Sequence, residues 1–304
     1  MDILTAIALM TIMAPVVVLL SLIAYFTLMP KECRLGVRLY DRGKSVNIAS
    51  EVLPYLILVS LVYMFAKSQE TITAALGITP TLRIAELILL MEGSTVSAFQ
   101  SIASPALTYF SAFIYLFGFS FLLIFTFVAL ICSGKVSVLQ EYAIAITVAY
   151  VVAFPFQVLA PVKVTGYTLP NVVPLLYQLS PVILEGLRSV DPYFDNCFPS
   201  LHAALSIIAM LLVVLRTDLR KYKVVAVLLT IAIQFAIFYL GIHWITDFLG
   251  GLMLAAISYA IAVRYRDRIV RMIKAVRKIA HPSSECDLSA GNLKWKGSRK
   301  CLKN

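Results

Sequence analysis

The chain has 304 residues, 61% of them hydrophobic and only 14% charged, with a formal net charge of +10 and a mean hydropathy of +0.90. A soluble domain carries roughly 25% charged residues, so an ordinary soluble enzyme is excluded and an integral membrane protein is specified. Seven apolar stretches are long enough, as helices, to address a hydrocarbon core about 30 Å thick. In chain order they are Ile3–Met29, Ile48–Ala66, Pro105–Cys132, Val138–Ala160, Pro199–Leu215, Val224–Gly241 and Asp247–Val263. The first has no basic segment before it and is too long for a signal-peptide core, so it is read as a retained helix.

Loop charges alternate along this order. Lys31, Arg34, Arg38, Arg42 and Lys44 follow the first span, Lys135 the third, and Arg216, Arg220, Lys221 and Lys223 the fifth; the C-terminal tail is also basic. In the intervening segments, Glu70, Glu86 and Glu92 offset Lys67 and Arg83, and Glu185, Asp191 and Asp195 offset Lys163 and Arg188. Under the positive-inside rule the basic segments and the C-terminus are cytoplasmic and the N-terminus is outside. Seven spans place all four basic segments on one side, which supports the count.

Two outer segments are long enough to need a reason. Between Lys67 and Ser104, the run from Leu82 to Glu92 is apolar but too short to span, and it predicts a helix at the interface. Between Pro161 and Phe198, the apolar run from Val172 to Leu187 is broken by Pro174 and Pro181. Both segments are expected either to cap a site and shape a route for a lipid tail, or simply to pack over helix ends. In the tail, Ile269, Ile273 and Val276 share a helical face between Arg266 and Lys278, a pattern for a basic helix on an anionic leaflet. It carries no nucleic-acid-binding motif, and nucleic acid is not an expected partner. From His281 onward the tail reads as polar and irregular. Only Cys197 of the five cysteines lies outside, so no disulfide framework is expected.

The chemistry concentrates at two outer boundaries. Pro199-Ser200-Leu201-His202 opens the fifth span, and His243-Trp244-Ile245-Thr246-Asp247 lies between the sixth and seventh. Proline suits a first helical turn, and the N–H groups of that turn bind anions such as phosphate. Ser200 adds a hydroxyl, and His202 can deliver a proton to a leaving oxygen. The Asp247 carboxylate can fix the tautomer of His243 and leave its other nitrogen free to attack. The plainer alternative makes Ser200 and Asp247 helix caps and the histidines ordinary boundary residues. Zinc on two His and one Asp is a further alternative, but no ligand-rich cluster accompanies them.

Phe198-Pro199-Ser200-Leu201-His202-Ala203 and Tyr239 to Gly251 resemble the second and third signature motifs of the type 2 phosphatidic acid phosphatase superfamily. The resemblance covers roughly residues 48–264. It implies an all-α, polytopic membrane helix bundle: a six-helix phosphatase-type core (48–264), preceded by an extra transmembrane helix and basic loop (1–47) and followed by a basic cytoplasmic tail (265–304). It also implies roles. His243 would be the nucleophile on phosphorus, forming a phosphohistidine, Asp247 would orient it, His202 would protonate the leaving group, and Ser200 would contact the phosphoryl oxygens. No cofactor and no metal are implied.

The chain departs from the family pattern where the third motif has Ser-Arg, replaced by Ala236 and Ile237, and where the first has Arg-Pro, replaced by Pro170 and Asn171. Two phosphate-clamping arginines are missing, and Lys163, then Arg188, are the candidate replacements. A branch that includes the inositol phosphorylceramide synthases lacks the same arginines, and Ala160-Pro161-Val162-Lys163 is similar to a segment of it. There an alcohol, rather than water, attacks the phosphohistidine and the donor is a phospholipid headgroup; for this chain the expected partners are a lipid phosphate and a small alcohol acceptor such as inositol. The expected substrate is a lipid phosphoester reached from the bilayer, with the site outside a membrane, the plasma membrane in a prokaryote. An inactive scaffold or a transporter is the non-enzyme alternative, although the spans carry few ionisable or polar groups beyond Glu141 and Gln234.

Overall fold

The structure is a computed structural model that describes residues 3–33, 48–77 and 82–280. Among these residues there are twelve α-helices and no strand. In order they are α1 (Ile3–Leu28), α2 (Ile48–Ala66), α3 (Gln69–Ala75), α4 (Leu82–Glu92), α5 (Pro105–Phe113), α6 (Phe119–Cys132), α7 (Val136–Leu159), α8 (Leu175–Gln178), α9 (Pro181–Arg188), α10 (Leu201–Arg216), α11 (Arg220–Tyr239) and α12 (Ile245–Ala280). A π-helical turn, Ile114–Gly118, joins α5 to α6.

Five segments are long and apolar enough to cross a membrane: Thr11–Leu28, Pro105–Cys132, Val136–Leu159, Arg220–Tyr239 and Ile245–Ala275. Glu51–Ala66 and Leu201–Arg216 are shorter apolar helices. Together these are the seven segments read from the sequence, and the all-α bundle follows. The boundaries of the first five agree to within two residues, and those of the last two differ more. The sixth segment begins at Arg220 rather than Val224, because Tyr222 is fully buried with its hydroxyl 2.7 Å from Thr126 Oγ1 and draws the basic turn into the bundle. The seventh begins at Ile245 and its helix continues beyond Val263.

The chain divides into two compact units at Arg266 and Asp267. The described part of the second, 267–280, is helical, as its pattern of apolar and basic residues predicts. The irregular stretch expected from His281, and Arg34, Arg38, Arg42 and Lys44, lie outside the described residues.

In the first unit α2 packs on α7, α10 on α11 and α7, and α1 on α6 and α9. The bundle has two chemically different ends. One carries the α6–α7 and α10–α11 turns, with Lys135 and Asp218 paired at 2.7 Å. There Arg216 also forks onto Glu141, Nε to Oε2 at 3.0 Å and a terminal nitrogen to Oε1 at 2.8 Å. The Glu141 side chain is 2% exposed, and this bidentate pairing lets a carboxylate exist inside the bundle.

The other end gathers the starts of α5, α10 and α12 and the ends of α7 and α11. The outer segments cover it. α4 occupies the helix predicted for Leu82 to Glu92. α8 follows Pro174, and α9 opens on Pro181 with Ser180 as its cap, accepting the Val182 N–H. Gln100 ties the two segments together: its Nε2 donates to Val173 O at 2.8 Å and Tyr239 O at 2.9 Å, while its Oε1 accepts the Val173 N–H.

Arg216→Ala strands the buried Glu141 carboxylate. The expected cost is about 3 kcal/mol, visible as a lowered thermal midpoint in detergent, and Glu141→Gln added to it restores part of the loss.

Candidate active site

The two motifs meet through backbone as well as side chains. The Ser200 N–H donates to Asp247 O at 3.0 Å, which locks the start of α10 to the first turn of α12. Two glycines allow the approach. A Cβ at Gly251 would lie 2.6 Å from Ser200 O and 2.9 Å from Ala203 Cβ, and one at Gly250 would lie 2.7 Å from the Phe198 ring. Side chains there would force the two helices apart.

His243 and Asp247 are buried, the latter completely. Asp247 Oδ2 accepts the Trp244 N–H at 2.9 Å and lies 3.2 Å from His243 Nδ1. A proton on Nδ1 is therefore donated to the carboxylate, and Nε2 is left with its lone pair. The His202 ring lies 5.8 Å from the His243 ring between centroids, at 58°, so 41 residues of sequence separation close to neighbouring side chains. The Tyr115 ring stacks on His202 at 4.5 Å and 26°, and Phe119 contacts it at 4.5 Å and 45°.

The remaining expected residues are placed differently. Ser200 is wholly buried, and its Oγ accepts the Ala203 N–H at 3.3 Å, so it serves as the α10 cap. Lys163 offers its carbonyl to Trp244 Nε1 at 2.8 Å. Its half-buried side chain has no hydrogen-bond or ion-pair partner among the described residues, so its charge is available. Arg188 pairs with Glu185 at 2.6 Å and sits over the Phe194 ring at 6.0 Å, part of an aromatic group with Tyr167 and Tyr177. Ala236 and Ile237, at the family's Ser-Arg positions, are buried in the core.

Several residues at the site were not singled out from the sequence. Glu92, the last residue of α4, accepts the Ile245 N–H at 3.1 Å, the Thr246 N–H at 2.8 Å and the Thr246 hydroxyl at 2.8 Å. It caps α12 from another helix and fixes the turn between His243 and Asp247. An acid closing an otherwise apolar helix was the only sequence signal. Cys197 is buried beside the pair and donates to Ile242 O at 3.5 Å. Cys197, His243 and Asp247 are the group whose ligand atoms lie within 4.8 Å of one another, whereas the zinc alternative had used His202 in place of the thiol. Burial first, then the Asp247, Asp191 and Asp195 carboxylates, push the Cys197 thiol well above its ordinary range.

The segment after α7 holds this floor in place. Val162 bridges Asn196, the Val164 N–H donates to Phe194 O at 3.0 Å, and the Gly166 N–H donates to Gly241 O at 2.9 Å. Gly241 has φ +73°, and a Cβ there would lie 2.6 Å from Val173 O, so a turn of this shape requires glycine.

Two outcomes follow. Glu92→Ala uncaps α12 and costs about 1–2 kcal/mol, read as a lower thermal midpoint, with Glu92→Gln intermediate. Cys197 stays unalkylated by maleimide at pH 8 in the folded protein and reacts after denaturation, checked by mass spectrometry, because the reactive thiolate is scarce when the thiol is pushed upward.

With this geometry in hand, the comparison with known families is informative. The family model described as the PAP2 superfamily matches residues 85–261, more than half of the 304 residues. The matched stretch contains Glu92, Tyr115, His202, His243 and Asp247. Comparisons with curated proteins and with solved structures give no match. The extent of the match and the two motifs within it make this chain a member of the PAP2 superfamily.

Proposed function

We propose that the protein is an integral-membrane lipid phosphatase or phosphotransferase that works through a phosphohistidine on His243. Membership of the superfamily supports a phosphatase-type lipid phosphoesterase. The observation that carries the mechanism is the Asp247–His243 pair with the His202 ring 5.8 Å away. In the first step His243 Nε2 forms a bond to phosphorus as the bond to the leaving oxygen breaks, and His202 gives that oxygen a proton. Asp247 stabilises the positive charge on the phosphorylated imidazole through Nδ1. In the second step water or an alcohol attacks phosphorus, His202 takes its proton, and the N–P bond breaks. Lys163, and at the rim Arg188, supply positive charge to the phosphoryl oxygens. No step requires a metal.

The distribution of basic loops supports a cytoplasmic C-terminus and an extracytoplasmic site, at the level where a lipid phosphate meets water. A second reading, transfer of a phospho-headgroup to an alcohol such as inositol, is favoured by one observation. Positions 236 and 237 are apolar and buried, while Glu92 and Asp247 stand at the site, so positive charge is sparse. A phosphodiester, with one negative charge, needs less neutralisation than a monoester with nearly two.

The test is turnover of solubilised lipid phosphates in EDTA, with and without myo-inositol. Wild type releases phosphate, or, in the second reading, forms a phosphorylated inositol as the lipid alcohol departs. His243→Ala abolishes either product, and His202→Ala lowers the rate by about 10²–10⁴-fold. Turnover that persists in a folded His243→Ala protein refutes the reading.

A further inference from the structure

His243 is oriented by a hydrogen bond, but His202 is not. Among the described residues no hydrogen bond reaches the His202 ring. What fixes its plane is aromatic contact: Tyr115 at 4.5 Å and Phe119 at 4.5 Å, with His243 at 5.8 Å. Both aromatic residues come from the junction of α5 and α6. Tyr115 lies inside the π-helical turn Ile114–Gly118 and Phe119 follows it directly. π-turns inside α-helices are uncommon and concentrate at functional sites. This one lies at the level of the histidines in a helix otherwise committed to packing.

We propose that Tyr115 and Phe119 are positioning residues for His202, holding its imidazole against the leaving oxygen. The proposal rests on the phosphohistidine reading above. The physical case has two parts. Two rings against an imidazole remove its χ2 freedom, so the proton is aimed without a carboxylate partner. The negative π face also attracts a cation, which partly offsets the cost of charging a histidine in an apolar setting. A carboxylate in place of the rings would hold the imidazolium more strongly, but it would add negative charge where an anionic phosphoryl group must bind. Aromatic rings orient the acid without that repulsion.

The charged and titratable surroundings are few. The nearest is His243, with Asp247 beyond it. Tyr115 carries its own hydroxyl, and Cys197, Asp191 and Asp195 belong to the adjoining loop. Between Lys223 and Tyr239, α11 has no ionisable side chain. On α7, Glu141 is occupied by Arg216 at the opposite end of the bundle, and Tyr150 neighbours Tyr63 of α2.

The experiment compares leaving groups. Wild type, Tyr115→Leu, Phe119→Leu and Tyr115→Phe are assayed on a lipid phosphate with an alkyl alcohol as leaving group and on p-nitrophenyl phosphate, whose phenolate departs without a proton. If the rings position the acid, each Leu variant loses about 10²-fold in kcat on the alkyl ester and less than about tenfold on the aryl ester. KM is little changed, and Tyr115→Phe behaves as wild type. Equal losses on both esters, or none, overturn the proposal while leaving the phosphohistidine reading intact. Absence of turnover in wild type overturns both. Retained thermal midpoints for the Leu variants show that the comparison is made on folded protein.

Discussion

The site depends on one buried contact between two chain segments. The Ser200 N–H reaches the Asp247 carbonyl, and the Asp247 carboxylate turns back to hold the Trp244 N–H and His243 Nδ1. Asp247 is fully buried, so its backbone and side chain together fix α10, α12 and the intervening turn as one piece. A carboxylate inside a bundle is costly unless its hydrogen bonds are made. Here Oδ2 holds the Trp244 N–H and His243 Nδ1 while Oδ1 has no hydrogen-bond partner among the described residues, so half of the carboxylate is committed to fixing the His243 ring. Gly250 and Gly251 are the steric condition for it, because only hydrogen at those positions lets α12 approach Phe198 and Ser200.

A second layer of polar contacts holds the outer segments over that contact. Glu92 places a negative charge on the N-terminus of α12, where the helix macrodipole favours it, and joins α4 to the turn that carries His243. Gln100 joins the following segment to Val173 and Tyr239. On the far side, Asp191 accepts the Asp195 and Asn196 N–H groups, and burial pushes its carboxyl upward while those hydrogen bonds pull it down. The outer segments are therefore bonded to the site by named groups. Side chains from these segments cap and bridge the turn that carries His243 and the end of α11.

The seven apolar segments, the interfacial helix at Leu82 to Glu92 and the breaks at Pro174 and Pro181 were legible because each has a local cause: run length, an acidic end, a fixed proline φ. The histidines and Asp247 were legible because polar residues at the edge of apolar segments stand out. Three features were not settled by local signals. Glu92 matters through residues more than 150 positions away. Tyr115 and Phe119 look like any aromatic pair in an apolar helix, and the π-turn that carries them is a backbone state with no residue signature. Ser200 was read as a phosphate contact with a helix cap as the alternative, and its buried hydroxyl accepts the Ala203 N–H. In each case the missing information was tertiary: which donor a side chain meets, and on which side of a helix.

The arrangement of charge bears on the reaction as well as on the fold. At the end opposite the histidines, Arg216 and Lys135 are paired with Glu141 and Asp218. At the site end, Arg188 is paired with Glu185, and Lys163 has no hydrogen-bond or ion-pair partner among the described residues, which is why the proposed reaction assigns it to the phosphoryl group. A transition state that spreads negative charge over three oxygens needs positive counterparts, and an apolar environment strengthens each one. In the proposed reaction, one lysine beside the two histidines fits a phosphoryl group that arrives with a single negative charge better than one that arrives with two. The two unusual features of the site are linked in the proposed reaction. A shortage of fixed cations raises the demand on His202 as a proton donor, and aromatic contacts support that role without adding the negative charge that the site can least accommodate.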